Sequence, residues 1–339
     1  MEHHNELQRT IDNLVSPRKG LLAADESHPT IAKRFAAIDL EPTEENRRAY
    51  RSLLLTTPGI NEFISGVILF EETVGQLNSA GDPLVHVLET QGIVPGVKVD
   101  KGKGPLPNAP GDMITHGLDG LEDRLDRYRE QGIRFAKWRE VYPISDQNPT
   151  SLGLEANAEV LARYAAACQQ AGIVPIVEPE VLRDGTHDMG RCEAVHEAVL
   201  ESVFRALRRH GVTLEHMLLK PAMITPGEGH DASATPEEVA EATLRLLTRC
   251  VPAAVPGVNF LSGGQTPVEA TRNLNALNVG AGNVPWRLSF SYGRALQEPV
   301  LNAWKGRELN AEVAQQAFLL RAGLNSAACE GAYSSVMEA

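Results

Sequence analysis

Short apolar runs alternate with amphipathic segments along most of this chain. Each run carries little charge until its last positions, and helical periodicity fills most of the intervals. The apolar runs lie at residues 20–27, 66–70, 93–99, 135–139, 173–177, 217–221, 258–261 and 287–292. The clearest helical patterns span residues 43–55, 118–131, 154–170, 189–210, 236–250 and 267–277. Runs of this length between helices are typical of buried strands.

Eight strands that alternate with helices predict parallel βαβ units, and eight such units close into a (β/α)8 barrel. Thr235 with Glu238 and Thr266 with Glu269 match capping boxes, each followed by proline at the first helical position. No composition shift divides the chain, so we predict an α/β fold with one domain over residues 1–339. The barrel, a TIM barrel, is placed at about residues 20–305. We expect a polar helix or arm before it, and a C-terminal helix (309–328) with a short tail within residues 306–339.

Composition narrows the classes of function. With a formal net charge of −12, the surface is unsuited to nucleic acid or to anionic membranes. Four widely separated cysteines without a CxxC pair are typical of reduced thiols in the cytoplasm. The first residues lack the pattern of a signal peptide, and no apolar run reaches the roughly 18 residues of a membrane span. We therefore expect a cytoplasmic protein with no nucleic-acid or membrane partner.

Charged side chains mark the ends of the predicted strands. In a (β/α)8 barrel, the carboxyl ends of the strands form the active-site face. Because side chains alternate along a strand, Lys137 shares a face with Arg139, and Glu178 with Glu180. One charge at a strand end is usually a solvated rim residue, but six of both signs on one face indicate an active site. The six are Asp25, Lys98, Lys137, Glu178, Lys220 and Arg294.

Lys220 is the candidate nucleophile. It follows the apolar run Met217-Leu218-Leu219 and precedes Pro221, which favours an extended conformation for the lysine. Taken alone, such a lysine more often extends to water. Poor solvation and a nearby second lysine, however, favour the neutral amine, which attacks carbonyl carbon. The resulting iminium accepts electrons from a breaking carbon–carbon bond, and Asp25 and Glu178 are the available acids and bases.

Two loops are candidates for phosphate binding. Ser262-Gly263-Gly264-Gln265 follows the seventh predicted strand, and Ser291-Tyr292-Gly293-Arg294 ends the eighth. In barrels of this class, the loops after strands seven and eight commonly bind phosphate through backbone N–H groups. Arg294 adds a charge-assisted contact. With several cations and carboxylates at the carboxyl ends of its strands, the predicted barrel suits an anionic substrate.

At these residues the chain resembles the class I fructose-bisphosphate aldolases. The resemblance extends in order from about residue 20 to 333. The segments that carry it are Leu22-Ala23-Ala24-Asp25-Glu26-Ser27, Gly96-Val97-Lys98-Val99-Asp100-Lys101-Gly102, Phe135-Ala136-Lys137-Trp138-Arg139, Ile176-Val177-Glu178-Pro179-Glu180, Leu218-Leu219-Lys220-Pro221, Phe260-Leu261-Ser262-Gly263-Gly264-Gln265 and Phe290-Ser291-Tyr292-Gly293-Arg294. It implies a glycolytic and gluconeogenic carbon–carbon lyase without metal or cofactor, usually a homotetramer. Its substrates would be sugar phosphates. It would cleave fructose 1,6-bisphosphate reversibly to dihydroxyacetone phosphate and glyceraldehyde 3-phosphate.

The resemblance also implies roles for single residues. Lys220 would form the Schiff base with Glu178 as its acid/base, while Asp25 and Lys137 act at the cleaved bond and Glu180 joins this catalytic group. The ketone-side phosphate would be held by Ser262, Gly263, Gly293 and Arg294. The other phosphate would face Ser27, Thr30 and Lys98. Further binding residues are Arg139, Gly264 and Ser291.

Two departures from the family pattern have consequences. His28-Pro29-Thr30 stands where the family commonly has Thr-Gly-Ser, which alters the second phosphate site although Thr30 keeps a hydroxyl. Many members also have a terminal tyrosine that assists proton exchange on the enamine, whereas the last tyrosine of this sequence is Tyr333. We expect water or another residue to do so here.

Three alternatives stay open at this stage. Another Schiff-base sugar-phosphate aldolase or a transaldolase-type enzyme fits the same barrel. A zinc-dependent aldolase is disfavoured because the histidines lack compact ligand spacing. A non-catalytic scaffold is disfavoured because every expected acid, base and amine is present.

Overall fold

The computed structural model describes residues 3–338. Met1, Glu2 and Ala339, which the predicted domain included, lie outside the described residues. The strands are β1 (Gly20–Ala24), β2 (Ile64–Leu69), β3 (Val94–Lys98), β4 (Lys103–Pro105), β5 (Met113–Thr115), β6 (Phe135–Tyr142), β7 (Val174–Val181), β8 (Leu218–Leu219), β9 (Gly257–Phe260) and β10 (Arg287–Tyr292). Eight of them pair in parallel as a closed barrel in the order β1-β10-β9-β8-β7-β6-β3-β2. The predicted α/β fold with a (β/α)8 barrel is therefore confirmed.

Helices surround the barrel and connect its strands. The α-helices are α1 (His4–Leu14), α2 (His28–Ala36), α3 (Glu44–Leu55), α4 (Glu71–Val74), α5 (Leu84–Thr90), α6 (Leu121–Glu130), α7 (Ser151–Gln170), α8 (Met189–Arg209), α9 (Pro236–Cys250), α10 (Pro267–Gly280), α11 (Arg294–Trp304) and α12 (Ala311–Ala328). Short 3-10 helices lie at Ile60–Glu62, Leu214–His216, Glu308–Asn310 and Ser335–Glu338. Both predicted capping boxes are formed, at the starts of α9 and α10.

The N-terminal extension is amphipathic, so its description as a polar helix or arm was wrong for one face. Leu7, Ile11 and Leu14 of α1 are buried and pack with inward-facing strand residues such as Phe135 and Ile176. This helix covers the apolar interior at the amino-terminal end of the barrel. A polar cavity opens at the other end of the barrel.

Two central strands are longer than the sequence pattern predicted. β6 and β7 pair position by position from Phe135↔Val174 to Tyr142↔Val181. The predicted strands ended at residues 139 and 177. Alternation directs Arg139 and Glu178 into the barrel mouth while their neighbours pack outward.

A hairpin that the sequence pattern did not predict follows β3. β4 and β5 pair in an antiparallel ribbon, with Lys103 opposite Thr115. Thr115 attaches the ribbon to the barrel, because its N–H donates to the Glu140 carboxylate (3.1 Å) and its hydroxyl donates to the Arg139 carbonyl (2.9 Å). The hairpin thereby forms part of the wall of the barrel mouth.

Candidate active site

A cavity of about 660 Å³ opens at the carboxyl ends of the barrel strands. The structure brings all the sequence-predicted site residues to its wall. These are Asp25, Ser27, Thr30, Lys98, Lys137, Arg139, Glu178, Glu180, Lys220, Ser262, Gly263, Gly264, Ser291, Gly293 and Arg294. They come from both sides of the ring of strands, so the barrel closure itself assembles the site.

Lys137 lies at the centre of the charged network. Its Nζ donates to Asp25 Oδ2 at 2.9 Å and lies 2.8 Å from Glu178 Oε2. Burial alone would lower the pKa of Lys137, but the Asp25 and Glu178 carboxylates outweigh it and raise the pKa above its usual range. Lys137 is therefore a fixed cation across the neutral pH range.

The pKa values of the two carboxylates, Asp25 and Glu178, shift downward. Burial alone would raise the pKa of Asp25 and of Glu178, but the Lys137 and Lys220 ammonium groups outweigh it in each case. Both pKa values lie below their usual ranges, so both groups are carboxylates near neutral pH. This gives the site proton acceptors next to its amines.

Lys220 comes directly after the two-residue strand β8, and its backbone N–H donates to the Val177 carbonyl at 2.8 Å. That bond continues the ladder between β8 and β7, although the strand was expected to extend to Pro221. The side chain is only 4% exposed, and its Nζ lies 3.0 Å from Glu178 Oε1. Glu178 therefore bridges two lysines, one oxygen to each, at distances suited to proton transfer.

A second ion pair lies two residues further along β6 and β7, closer to the opening of the cavity. Arg139 lies two residues after Lys137 on β6, and its Nε contacts the Glu180 carboxylate on β7. Burial alone would lower the pKa of Arg139, but Glu180 outweighs it and raises the pKa. The backbone N–H of Arg139 donates to Asp100 at 3.4 Å, which ties this strand to the loop after β3.

Glu26 holds the loop that carries Asp25. Its buried carboxylate contacts the guanidinium groups of Arg34 and Arg51 and accepts from Gln297 Nε2 at 2.7 Å. Arg51 also donates to the Ala24 carbonyl. These contacts fix the backbone on both sides of Asp25, and with it the position of the carboxylate against Lys137.

One end of the cavity is built by the loops after β9 and β10. Gly263 and Gly264 adopt φ values of +46° and +85°, a region that favours glycine. Gly293 is the N-cap of α11, whose amino terminus points backbone N–H groups toward this end. Arg294 donates to the Gly264 carbonyl at 2.5 Å, which joins the two loops.

A buried hydroxyl completes that end. Ser291 is 1% exposed, and its Oγ has no hydrogen-bond partner within residues 3–338. Because a buried hydroxyl is ordinarily paired, this group is available to a ligand in the cavity.

The other candidate phosphate-binding residues follow β1 or lie at the end of β3. Ser27 Oγ and Thr30 Oγ1 are 3.2 Å apart at the start of α2, so the His28-Pro29-Thr30 departure keeps two adjacent hydroxyls. Lys98, at the end of β3, pairs with Asp100 at 2.6 Å. In the ring of strands, β3 is four steps from β9 and β6 is four steps from β10, so these pairs of strands face each other.

Several lining residues were missed by the sequence analysis. Glu26, Arg34, Lys103 and Thr115 also line the cavity. They lie on α2, on the loop before it and on the hairpin rather than at strand ends, so the strand-end pattern gave no signal for them. Among them, only Glu26 could have been suspected from the sequence, because it directly follows Asp25.

Two features of residues 3–338 bear on other classes of function. Within that range, no cluster of three or more histidine, cysteine or acidic side chains is arranged to hold a metal ion. Nor does any helix in the described part of the chain have the length and apolar character needed to cross a membrane.

Comparisons with known proteins agree with the resemblance seen in the sequence. The family model described as "Fructose-bisphosphate aldolase class-I" matches residues 6–339. Fructose-bisphosphate aldolase 6, cytosolic, of Arabidopsis thaliana is 55% identical over 318 residues, which cover 94% of this chain and 88% of the relative. Fructose-bisphosphate aldolase C of Homo sapiens is 51% identical over 333 residues, covering 98% and 92%.

A solved structure matches the whole barrel. It is fructose-bisphosphate aldolase from Plasmodium falciparum in a ternary complex with TRAP and a small molecule inhibitor. The TM-score is 0.97 at 50% identity, and the alignment covers 98% of this chain and 96% of that one. Similarity therefore extends to the fold and to nearly the full length.

Proposed function

This chain belongs to the class I fructose-bisphosphate aldolase family, and we propose that Lys220 is the amine with which it cleaves fructose 1,6-bisphosphate. The enzyme is a glycolytic aldehyde-lyase, and the family match favours this activity over a transaldolase-type alternative. The observation that carries the residue assignment is the 3.0 Å contact between the buried Lys220 Nζ and Glu178. A lysine amine next to a buried acid/base is the arrangement that Schiff-base chemistry requires.

The proposed reaction begins at the ketone carbon of the substrate. Glu178 takes a proton from the Lys220 ammonium, the amine adds to this carbon, and Glu178 returns that proton to the former carbonyl oxygen to give the carbinolamine. A second transfer through Glu178, from the nitrogen to the carbinolamine hydroxyl, releases water. The product is a protonated iminium. Because Glu178 contacts both Lys220 and Lys137, it can pass protons without a large movement.

Carbon–carbon cleavage follows from the iminium. The hydroxyl on the far carbon of the breaking bond loses its proton, the bond's electron pair moves to the iminium, and the aldehyde product leaves an enamine on Lys220. We assign the proton acceptor to the Asp25 carboxylate, held by Lys137 at 2.9 Å. Protonation of the enamine carbon and hydrolysis then return the free amine and the second product.

The two ends of the cavity fit the two phosphates of this substrate. At the ketone side we place Ser262, Gly263, Gly293 and Arg294, supported by the α11 amino terminus and by the unpaired Ser291 hydroxyl nearby. At the aldehyde side we place Ser27, Thr30, Lys98 and Arg139. Gly264 positions the first site through its contact with Arg294, and Glu180 positions Arg139.

We also propose that the protein is a single-domain enzyme that works in the cytoplasm as a homotetramer. Relatives named as cytosolic aldolases support the location. The assembly follows from the family alone, and sedimentation velocity at micromolar concentration tests it. A monomer there would refute the tetramer without affecting the chemistry.

Cleavage assays with Lys220→Met test the proposed function. Wild-type protein should cleave fructose 1,6-bisphosphate equally well with and without EDTA. The variant should lose at least about 10³-fold in kcat, roughly 4 kcal/mol of barrier, since no iminium can form. Activity that EDTA abolishes, or a variant that retains a tenth of the rate, would refute the proposal.

A further inference from the structure

Lys103 occupies a fixed position on the wall of the cavity. It lies on β4 opposite Thr115, and Thr115 donates its hydroxyl to the carbonyl of Arg139. Lys101 N–H donates to the His116 carbonyl and His116 N–H to the Gly102 carbonyl, each at 2.8 Å, so the base of the hairpin is closed. The Lys103 backbone is therefore joined through Thr115 to the backbone of Arg139.

Lys103 differs from its neighbours in its electrostatic state. The nearby cations each have a carboxylate partner, namely Lys98 with Asp100, Lys101 with Glu71, Arg139 with Glu180 and Lys137 with Asp25. Within residues 3–338, Lys103 makes no ion pair, although its side chain lines the same cavity. Partial desolvation and the Arg139 charge lower the pKa of Lys103, and the more weakly acting Glu180 and Asp184 carboxylates do not offset them.

Arg294 is the corresponding group at the opposite end. It donates to the Gly264 carbonyl and has no carboxylate partner in the described part of the chain. It follows β10, which faces β6 across the ring, and the hairpin of Lys103 is anchored to β6. Among residues 3–338, the cavity thus presents one unpaired cation at each of two opposite sides, which suits a substrate with an anion at each end.

We propose that Lys103 binds the phosphate on the aldehyde half of the substrate, beside Arg139, and favours a sugar bisphosphate over a sugar 1-phosphate. The inference rests on the proposed function, because it assumes the same substrate in the same cavity. Lys103 is exposed, so its side chain can adjust, and within the described part of the chain it has no ion pair to break before it meets the phosphate. The contact forms and breaks with the substrate and takes no part in proton transfer.

The test compares Lys103→Met with Lys101→Met on two substrates. Lys101 is two residues away and loses the same charge, but Glu71 already pairs with it. Lys103→Met should lower kcat/KM for fructose 1,6-bisphosphate about 5- to 30-fold, mainly through KM, and change that for fructose 1-phosphate less than twofold. Lys101→Met should change neither by more than about threefold, and Lys103→Arg should restore most of the loss.

Each contrary outcome is distinct. Equal losses on both substrates would show that Lys103 acts on a feature that they share, which overturns the proposal. Equal losses from Lys103→Met and Lys101→Met on the bisphosphate would mean general attraction by charge, and no loss would mean no contact. All three leave the proposed function intact, whereas wild-type protein that cleaves neither substrate refutes the proposed function itself.

Discussion

Glu178→Gln tests whether Glu178 is the acid/base beside Lys220. The glutamate contacts Lys137 at 2.8 Å and Lys220 at 3.0 Å. Unit charges at such distances attract by roughly 5 to 6 kcal/mol at an effective dielectric constant of about 20. Glutamine keeps the shape and a hydrogen-bonding oxygen but removes the charge and the ability to carry a proton.

The expected magnitude follows from the loss of one acid/base. General acid–base groups contribute about 10²- to 10⁴-fold, so kcat should fall by that factor, roughly 3 to 5 kcal/mol of barrier. Both carbinolamine formation and its dehydration should slow, since both move a proton beside Lys220. KM should change much less, because the phosphate-binding ends of the cavity are untouched.

Two measurements test this prediction for Glu178→Gln. Steady-state cleavage of fructose 1,6-bisphosphate reports kcat, and timed borohydride quenching with dihydroxyacetone phosphate reports how fast the adduct forms. Glu193→Gln is the control, because it neutralises a carboxylate paired with Arg245 away from the barrel mouth. A folded Glu178→Gln variant with kcat within fivefold of wild type, or with adduct formation at the wild-type rate, would refute the role of Glu178.

Three further predictions concern the rest of the molecule. Burial raises the pKa of Glu140 to about 7 against an unfolded value of 4.5, so wild-type protein should lose stability as pH rises between them. Relative to Glu140→Gln, its free energy of unfolding in urea should fall by about 2 to 3 kcal/mol from pH 5 to pH 8, and a pH-independent difference would contradict this. Removal of residues 334–339 should change kcat less than threefold, since Glu338 pairs with Arg321 and accepts from Tyr333 outside the cavity; a 100-fold loss would contradict it. Leu14→Ala, at a fully buried position, should destabilise the protein by about 2 to 5 kcal/mol in urea unfolding, and a change below 1 kcal/mol would refute the packing of α1 on the barrel.

The barrel was predictable because each of its strands and helices has its own pattern of hydrophobic residues in the sequence. Each parallel strand is buried on both faces and reads as an apolar run, and each crossover helix has its own period. The strand β7 was predicted too short because Glu178 and Glu180 follow its apolar run, and the prediction for β6 ended at the second of its two basic residues, Lys137 and Arg139. In a barrel mouth, charge inside a strand is tolerated when the charges pair, as these do.

The centre of the site was also visible in the sequence, because a barrel brings strand ends together whatever lies between them. Asp25, Lys137 and Glu178 could be placed near Lys220 on that rule alone. Their partners could not be assigned, since contact between separate strands depends on register. That Glu178 bridges both lysines is a result of the structure.

The hairpin and the loop of Asp25 follow no such rule. Lys103 and Thr115 reach the cavity through a ribbon of three-residue strands, too short for a period to be detected. Glu26 is positioned by Arg34, Arg51 and Gln297, which lie 8, 25 and 271 residues away. Long-range contacts of this kind leave no local pattern.

Locating the covalent adduct tests the central claim most directly. Wild-type protein is incubated with dihydroxyacetone phosphate, reduced with borohydride, digested and mapped by mass spectrometry. One modified lysine is expected, Lys220, and Lys220→Met should show no adduct. A reduced adduct on Lys98 or Lys137 in the wild-type protein, or none at all, would contradict the assignment.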